Sequence, residues 1–370
     1  MSRVAGTTCG WETGDATEIG SLVASASATF TVVTATPTPA SGTYCGKAAL
    51  NATGGQYAVR SVGLGANKTD LWVRVRLYNG LTGADTTLVT VHSLVRLIDS
   101  AGTLGSQLAL DASTGTLRAY RGGNALGTTS SLGGTLLGSA GTTLGAGWNL
   151  VEIHVVPTTG ATGTFEIWLN GAQVYNGTSI QTSAGLANVL TVQVGLARFA
   201  TGGASSGSYV GLDDVGINDT AGSLNNGRPG DYRIGYFVPD GAGASSQWTP
   251  SAGSNYQCVD DTGDLSGGTA DYVSTNTTAQ VDDYTVTNLP AGTSTIPVVI
   301  ALAYASNPAA GVTQLKVGLI SGATTSAGTA QSPGGASYVY LREQFETDPN
   351  TSAAWTATNV NAAKLRLESA

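Results

Sequence analysis

Charged side chains are scarce in this chain. Asp, Glu, Lys and Arg make up 11% of its 370 residues, against about a quarter in an average soluble protein. The 16 Lys and Arg are spread without a basic run and the formal net charge is −8, which argues against a nucleic-acid partner. No stretch approaches the roughly 18 apolar residues of a membrane-spanning helix. The first residues, MSRVAGTTCGWETG, lack the apolar core of a secretory signal. We therefore expect synthesis in a cytoplasm without a signal peptide, and no membrane insertion.

Residues that carry catalysis or bind metals are also few. The three cysteines, Cys9, Cys45 and Cys258, cannot all pair within one chain, and no CxxC spacing is present. Free buried thiols are the main expectation in a reducing compartment, with a Cys9–Cys45 bridge as the alternative. The only histidines are His92 and His154, and no G-x-S-x-G motif surrounds a serine. No E-x-D-x-x-E run supplies the paired carboxylates of a glycoside hydrolase. These absences predict a protein that is not an enzyme.

Helix periodicity is nearly absent, and two-residue alternation takes its place. Four strand-like segments between Trp148 and Asn218 read WNLVEIHVV, GTFEIWLNG, VLTVQVGLARF and SYVGLDDVGIND. Such alternation is typical of antiparallel strands with one face on a core. In the first two segments, the residues expected on the core are Val151, Ile153, Val155, Phe165, Ile167 and Leu169. With 41% hydrophobic residues and 52 glycines, the sequence predicts a folded all-β protein with many tight turns.

The chain divides into two predicted domains. About a dozen strand candidates before residue 218 suggest two packed sheets. The Gly/Asn/Pro-rich stretch NDTAGSLNNGRPGD follows. We place the first domain at 1–218, a linker at 219–230, and a smaller β-sandwich domain at 231–370. The second domain is expected to end in a short segment with one helix, around Ala354 to Leu367.

Two further segments carry local predictions. TIPVVIALAYA is nearly all apolar, so we expect it to be a central strand or a strand buried on both faces. The Gly/Ser/Thr/Leu-rich stretch from Gly133 to Gly147 is expected to be a long loop.

The segment LWVRVRLYN offers the best candidate for ligand contact. Alternation places Trp72, Arg74, Arg76 and Tyr78 on one face. Exposed rings stack on the apolar faces of sugars, and polar partners bind their hydroxyls. The alternative is a packing face covered by another strand, a loop or a subunit, because Arg and aromatic residues are also common at interfaces. Two arginines are costly to bury alone, which favours a wet face or an acidic partner.

Two groups of aspartates are candidate metal ligands, a pair on the closing strand and a cluster of three in a later loop. On the closing strand, alternation puts Asp213 with Val215 and Ile217 and turns Asp214 to the other side. Structural aspartates that anchor a loop are the main interpretation; calcium is the alternative, because hard cations prefer oxygen ligands. Asp260, Asp261 and Asp264 form a second cluster, interpreted as solvated turn residues.

The first domain resembles the concanavalin A-like (laminin-G/pentraxin-type) lectin jelly roll. The resemblance is carried by Gly10-Trp11-Glu12-Thr13-Gly14, then the Trp148 strand, the FEIWLNG hairpin, VQVGLARF and YVGLDDVGIND, in that order.

The whole chain is similar to a group of tailed-bacteriophage structural proteins. In that group a lectin-like domain opens with G-[FW]-E-T, closes with a DDV strand and is followed by N-x-x-x-G-D-x-R-[IV], here Asn226 to Ile234. The segments Trp248–Pro250, Asp282–Tyr284, Asp348-Pro349 and Trp355-Thr356 also fit. The resemblance implies a virion component of the tail, fibre or capsid surface that assembles with other virion proteins. By analogy with viral symmetry we expect a homo-oligomer, a trimer before a dimer. Such a protein is also expected to present a glycan-binding face to the host surface. The alternative functions are a soluble carbohydrate-binding lectin and a polysaccharide-degrading enzyme.

Overall fold

A computed structural model describes residues 3–4, 6–52, 54–87, 91–128, 131–199, 207–261, 271–308 and 311–370. Asp264 of the second aspartate cluster lies outside these ranges. The chain forms two compact units: Met1–Glu12 with Ala16–Gly235, and Thr13–Asp15 with Tyr236–Ala370. The first unit thus continues to Gly235.

The first unit contains fourteen strands among the described residues. They are β1 Ser21–Ala24, β2 Ala28–Val33, β3 Cys45–Leu50, β4 Tyr57–Lys68, β5 Leu71–Gly80, β6 Val91–Ile98, β7 Leu104–Asp111, β8 Thr116–Arg121, β9 Thr135–Thr143, β10 Trp148–Val156, β11 Gly163–Leu169, β12 Ala172–Ile180, β13 Val189–Arg198 and β14 Ser208–Asp219. A single-turn 3₁₀ helix, Ala16–Glu18, and the short helix α1, Ala84–Thr87, are the helical elements described here.

These strands form two seven-stranded antiparallel sheets. Sheet I has the order β12-β11-β10-β5-β14-β3-β2, and sheet II has the order β1-β4-β13-β6-β7-β8-β9. Consecutive strands are thus often separated by strands from elsewhere in the chain, as in a jelly roll. The all-β class and the concanavalin A-like sandwich predicted from the sequence are confirmed.

One core lies between the two sheets, and alternation selects its members. Val73, Ile153 and Phe165 of sheet I belong to the same buried cluster as Val62 and Val192 of sheet II. The six core residues predicted on β10 and β11 are all buried. Burial of each such side chain stabilises the fold by about 1.5–3 kcal/mol relative to full exposure.

The prediction of a long loop from Gly133 to Gly147 is wrong. Residues Thr135–Thr143 form β9, an edge strand of sheet II, which pairs with β8. Its small residues tolerate the largely exposed position of an edge strand, and this explains why the stretch lacks the apolar alternation of a core strand.

The second unit has its own strands and core. They are β15 Pro239–Ser246, β16 Thr249–Pro250, β17 Val273–Ser274, β18 Val281–Val286, β19 Val299–Ala305, β20 Leu315–Ser321, β21 Thr324–Ser326, β22 Ala330–Gln331, β23 Val339–Phe345 and β24 Lys364–Ser369. The main sheet has the order β15-β18-β24-β20-β21, with β22 also on β20; β16 pairs with β17, and β19 with β23. A 3₁₀ turn, Asn255–Cys258, and helix α2, Ala357–Ala362, complete the unit. Tyr284, Val317 and Trp355 are in its buried cluster.

Two predictions fail in the second unit. The helix is confined to Ala357–Ala362, and Lys364–Ser369 is instead a central strand of the main sheet, because Leu365 and Leu367 alternate with charged residues. The apolar strand β19 is neither central nor buried on both faces. Among the described residues it pairs only with β23, and only Ala301 of its seven residues is fully buried.

All three cysteines are buried free thiols. Within the described ranges, no helix has the length and apolar character needed to cross a bilayer.

Candidate functional site on the outer face of sheet I

The outer face of sheet I is the face that points away from the core, and it carries the four residues selected from the sequence. Arg74 is fully buried, while Trp72 and Arg76 are 9% and 7% exposed. Tyr78 is half-buried. The four residues therefore share a face, but they do not form one open surface.

Residues 227–234, here called the crossing segment, lie over the middle of this face. The Arg74 guanidinium donates from Nε to Gly230 O (3.0 Å), from Nη2 to Tyr232 O (2.6 Å) and from Nη1 to Asp214 O. Arg76 forms an ion pair with Asp231. Each of the three nitrogens of Arg74 thus has a carbonyl acceptor, and Arg76 has a carboxylate partner, although its buried Nε makes no hydrogen bond to any described residue.

Other contacts hold the crossing segment along its length. The Gly230 amide donates to Glu152 Oε1 at 2.7 Å. The Arg228 guanidinium stacks over Trp168, 4.2 Å from the ring centroid. The guanidinium carbons of Arg74 and Arg3 lie 3.8 and 4.6 Å from the centroid of the Tyr232 ring. Burial raises the pKa of Glu152, while the Gly230 hydrogen bond and the charges of Arg228 and Arg74 oppose that shift.

Asp213 and Asp214 hold two chain segments on sheet I. Asp213 Oδ2 accepts hydrogen bonds from the amides of Ala40 (2.9 Å) and Ser41 (3.3 Å). Asp214 Oδ1 accepts from the Ser41 hydroxyl and from the amide of Ile234, at 2.9 and 2.8 Å. Burial and the neighbouring carboxyl raise the pKa of Asp213.

The expectation that these aspartates point to opposite faces is wrong. The pairing of β14 with β5 shifts register after Asp213, and Asp214 has a positive φ of 49°. This bulge lets both carboxyl groups bond to Ser41, which strict alternation does not allow. No group of three or more His, Cys, Asp or Glu side chains in the described ranges is arranged to hold a metal ion.

The opening G-W-E motif packs in the same region. Trp11 is buried, with its ring 5.5 Å from that of Phe30. Glu12 Oε2 accepts a hydrogen bond from the Thr43 amide at 2.8 Å. Burial raises the pKa of Glu12 to about 7. A Cβ on Gly10 would meet Ile234 at 3.0 Å, so the motif also lies against the end of the crossing segment.

Three aromatic rings and one lysine form a half-buried patch beside the crossing segment. The Tyr78 ring is 5.7 Å from Trp148 and is stacked on Tyr209 at 6.1 Å, and Lys47 Nζ lies 4.3 Å from the Tyr209 centroid. These four residues, Lys47, Tyr78, Trp148 and Tyr209, are called the aromatic patch. Rings with a cation beside them are chemically suited to stacking on sugars and to polar contact with their substituents.

The patch depends on glycines in the neighbouring strands. In the register of sheet I, Trp148 is opposite Tyr78, Tyr78 is opposite Gly211, and Gly211 is opposite Lys47. A Cβ on Gly211 would meet Pro37 Cγ at 2.6 Å and Trp148 Cη2 at 3.0 Å. The missing side chain therefore lets Pro37 and the Trp148 ring pack against the backbone of Gly211.

A second group, the histidine cluster, lies at the other end of β5. His154 Nε2 is 2.8 Å from Asp70 Oδ1, and Nδ1 is 3.0 Å from Glu166 Oε2. The imidazole stacks on Trp72 at 4.3 Å between centroids. Burial lowers the pKa of His154, but the hydrogen bonds and charges of Asp70 and Glu166 outweigh burial and raise it. With both ring nitrogens donating to carboxylates, the imidazolium has no lone pair to act as a base.

Sequence reasoning missed Lys47, Trp148, Tyr209 and Asp70 as members of these groups. Alternation indicates that Trp148 and Tyr209 lie on the outer faces of their strands. It does not give the cross-strand register that places them beside Tyr78, and Asp70 lies in a turn where alternation has no meaning.

No protein-family model and no curated protein sequence matches the chain. Solved structures do match it. The chain is similar to an endo-β-1,4-glucuronan lyase from the fungus Trichoderma reesei, at 18% identity, covering 54% of this chain and 90% of the lyase with a TM-score of 0.41. It is similar to the carbohydrate-binding module CBM66 from Bacillus subtilis, at 10% identity, covering 54% of this chain and 96% of the module with a TM-score of 0.33. It is also similar to a PL-14 alginate lyase from Aplysia kurodai, at 11% identity, covering 59% of this chain and 99% of the lyase with a TM-score of 0.41.

Proposed function

We propose that this chain is a non-enzymatic structural protein of a tailed-bacteriophage virion, in the tail, a fibre or the capsid surface, and that its aromatic patch contacts host glycans. The observation that carries the glycan contact is the continuous series Lys47, Tyr209, Tyr78 and Trp148, with successive separations of 4.3, 6.1 and 5.7 Å. Large rings that remain partly exposed at a sheet surface are suited to the apolar faces of sugars.

The motifs behind the virion resemblance support a structural role. Glu12 is bonded to Thr43, Asp214 to Ile234, and Gly10 packs on Ile234. The opening motif, the closing strand and the crossing segment are therefore joined within one unit. Residues held in this way stabilise a fixed scaffold, which suits a particle component.

A non-enzymatic role is supported by the histidine cluster. Both nitrogens of His154 are engaged by Asp70 and Glu166, so this conspicuous titratable group is committed to a structural contact. General-base catalysis needs a nitrogen or oxygen that is free to take a proton.

Glycan binding is tested with the purified full chain on a glycan array. Trp148→Ala is expected to remove the signal, because it deletes the end ring of the patch. Trp168→Ala, which truncates a ring outside the patch, is the control and is expected to retain it. Circular dichroism of both variants checks the fold. A chain that binds no glycan, or a Trp148→Ala variant that binds as well as the wild type, contradicts the glycan contact.

The virion assignment is tested with purified phage particles. Mass spectrometry is expected to find the chain at a fixed copy number per particle, and light scattering of the free chain is expected to give an oligomer, with a trimer as the first expectation. Absence of the chain from intact particles contradicts the virion role and leaves the soluble-lectin alternative.

The enzymatic alternative has its own assay. Incubation with host capsule or lipopolysaccharide is expected to release neither reducing ends nor unsaturated uronates. Release of either product by the wild-type chain contradicts the non-enzymatic assignment, provided that a substitution in this chain abolishes the release.

A further inference from the structure

We infer that the aromatic patch is specific for glycans that carry a carboxylate, with Lys47 as the residue that pairs with it. This inference rests on the proposed glycan contact and adds the chemical class of the ligand.

Lys47 differs from other cations of the first unit in its surroundings. Lys68 pairs with Asp219 at 2.5 Å, Arg198 with Asp85 at 3.0 Å, and Arg118 pairs with Asp111. Within the described ranges, Lys47 forms no ion pair and no hydrogen bond; its contact is the Tyr209 ring. The Lys47 ammonium thus has a ring contact but no anionic partner in the described part of the chain, and an external carboxylate would form a charge-assisted contact with it.

The carboxyl group nearest along the neighbouring strand is already engaged. Asp213 lies two residues from Gly211, the residue opposite Lys47. Its oxygens accept hydrogen bonds from the amides of Ala40, Ser41 and Asp214. Asp213 is therefore bound to the backbone around it and leaves the Lys47 ammonium available to a ligand.

The geometry assigns separate tasks to the rings and to the lysine. Tyr78, Trp148 and Tyr209 form the apolar platform, and Lys47 lies at its Tyr209 end. A sugar stacked on the rings would carry its acidic substituent toward that end. The formal net charge of the chain is −8, so the whole protein repels a polyanion, and acidic glycans must be recognised by a local cation.

The experiment compares acidic glycans with neutral counterparts on the full chain. The array is expected to give carboxylate-bearing glycans as its strongest hits. The best hit is then compared by calorimetry with the same glycan after reduction of its carboxyl to an alcohol. We expect the reduced form to bind about tenfold more weakly, as for the loss of one charge-assisted contact of about 1.4 kcal/mol.

Variants tie the preference to Lys47. Lys47→Gln is expected to weaken binding of the acidic glycan about tenfold, so that the variant no longer prefers the acidic glycan over its reduced form. Lys47→Arg is expected to restore the preference. Lys68→Gln removes the same charge outside the patch and is expected to have no effect.

The outcomes separate this inference from the proposed function. If neutral glycans give the strongest hits, if the reduced form binds equally well, or if sulfated glycans without carboxylates bind as tightly, the carboxylate assignment is overturned while glycan binding stands. If no glycan binds and Trp148→Ala changes nothing, the proposed glycan contact itself has failed.

Discussion

Glu12 illustrates how a single residue can oppose the stability of the fold that it helps to build. Its side chain is 7% exposed and accepts the Thr43 amide, yet burial raises its pKa to about 7 from 4.5. A carboxyl with a raised pKa binds protons more readily in the folded state than in the unfolded state. Its contribution to stability therefore falls as the pH rises from about 4.5 to about 7.

Glu12→Gln is expected to stabilise the protein above pH 7. The difference between the two pKa values corresponds to roughly 3 kcal/mol at pH 8, and this gain should vanish near pH 4, where Glu12 is protonated in both states. Denaturant unfolding at the two pH values measures it. An equal effect of the substitution at pH 4 and pH 8 would show that charge burial at Glu12 is not the cause.

His154 has the opposite dependence on pH. Its pKa is raised from 6.5 because Asp70 and Glu166 favour the imidazolium over the effect of burial. The stabilisation is fully present below the unfolded-state pKa and is lost as the pH rises through the folded-state pKa. We expect His154→Asn to remove the fall in stability that the wild type shows above about pH 6.5. Matching stability–pH profiles for the two proteins in that range would contradict the charged pairing.

At the scale of elements, the crossing segment decides which part of sheet I is accessible. It covers Arg74 and leaves the aromatic patch on one side and the histidine cluster on the other. The bulge at Asp214 matters here, because it aims a carboxyl group at the Ile234 amide. A turn-rich sequence of Gly, Asn and Pro thus forms a fixed layer when buried charges supply its hydrogen-bond partners.

Gly216→Ala is expected to displace the crossing segment. A Cβ at this position would overlap the Tyr232 hydroxyl, and overpacking of this kind costs about 1–3 kcal/mol. Hydrogen exchange of the peptide that contains residues 227–234 should become faster, with a matching loss of unfolding free energy. Gly227→Ala is the control, because a Cβ there meets nothing within 4 Å. Equal exchange in the two variants would contradict the proposed packing.

At the scale of the whole molecule, each compact unit has a buried cluster of its own. The first unit ends at Gly235, whereas the composition of the chain placed the end of the first domain at residue 218. The difference has a physical cause: without the crossing segment, Arg74 would lose the carbonyl groups of Gly230 and Tyr232.

A chain that ends at Gly235 is therefore expected to fold and to bind glycans like the full protein. A chain that ends at Asn218 is expected to be less stable, since Arg74 loses the carbonyl acceptors of Gly230 and Tyr232 and Arg76 loses Asp231, at roughly 1.5–3 kcal/mol for each hydrogen bond to a charged group. Circular dichroism melting of the two truncated chains makes the comparison. Equal melting temperatures would show that the crossing segment does not stabilise the first unit.

Local sequence patterns predicted the parts of the fold that depend on neighbours along the chain. The alternation in WNLVEIHVV and GTFEIWLNG identified the buried residues of β10 and β11, because successive side chains of a strand point to opposite faces. The same rule failed where strands deviate from it. Asp214 lies in a bulge, and β9 has too few apolar residues to alternate.

Two-residue periodicity and low charge were enough to establish an all-β chain with Trp72, Arg74, Arg76 and Tyr78 on one face. Packing alone decided whether that face is covered. Arg74 is covered by Gly230 and Tyr232, which lie 156 and 158 positions later in the chain, while Tyr78 contacts Trp148 and Tyr209 from other strands. Alternation is a property of a single strand, whereas register and coverage depend on the free energy of the complete fold, which no short segment contains.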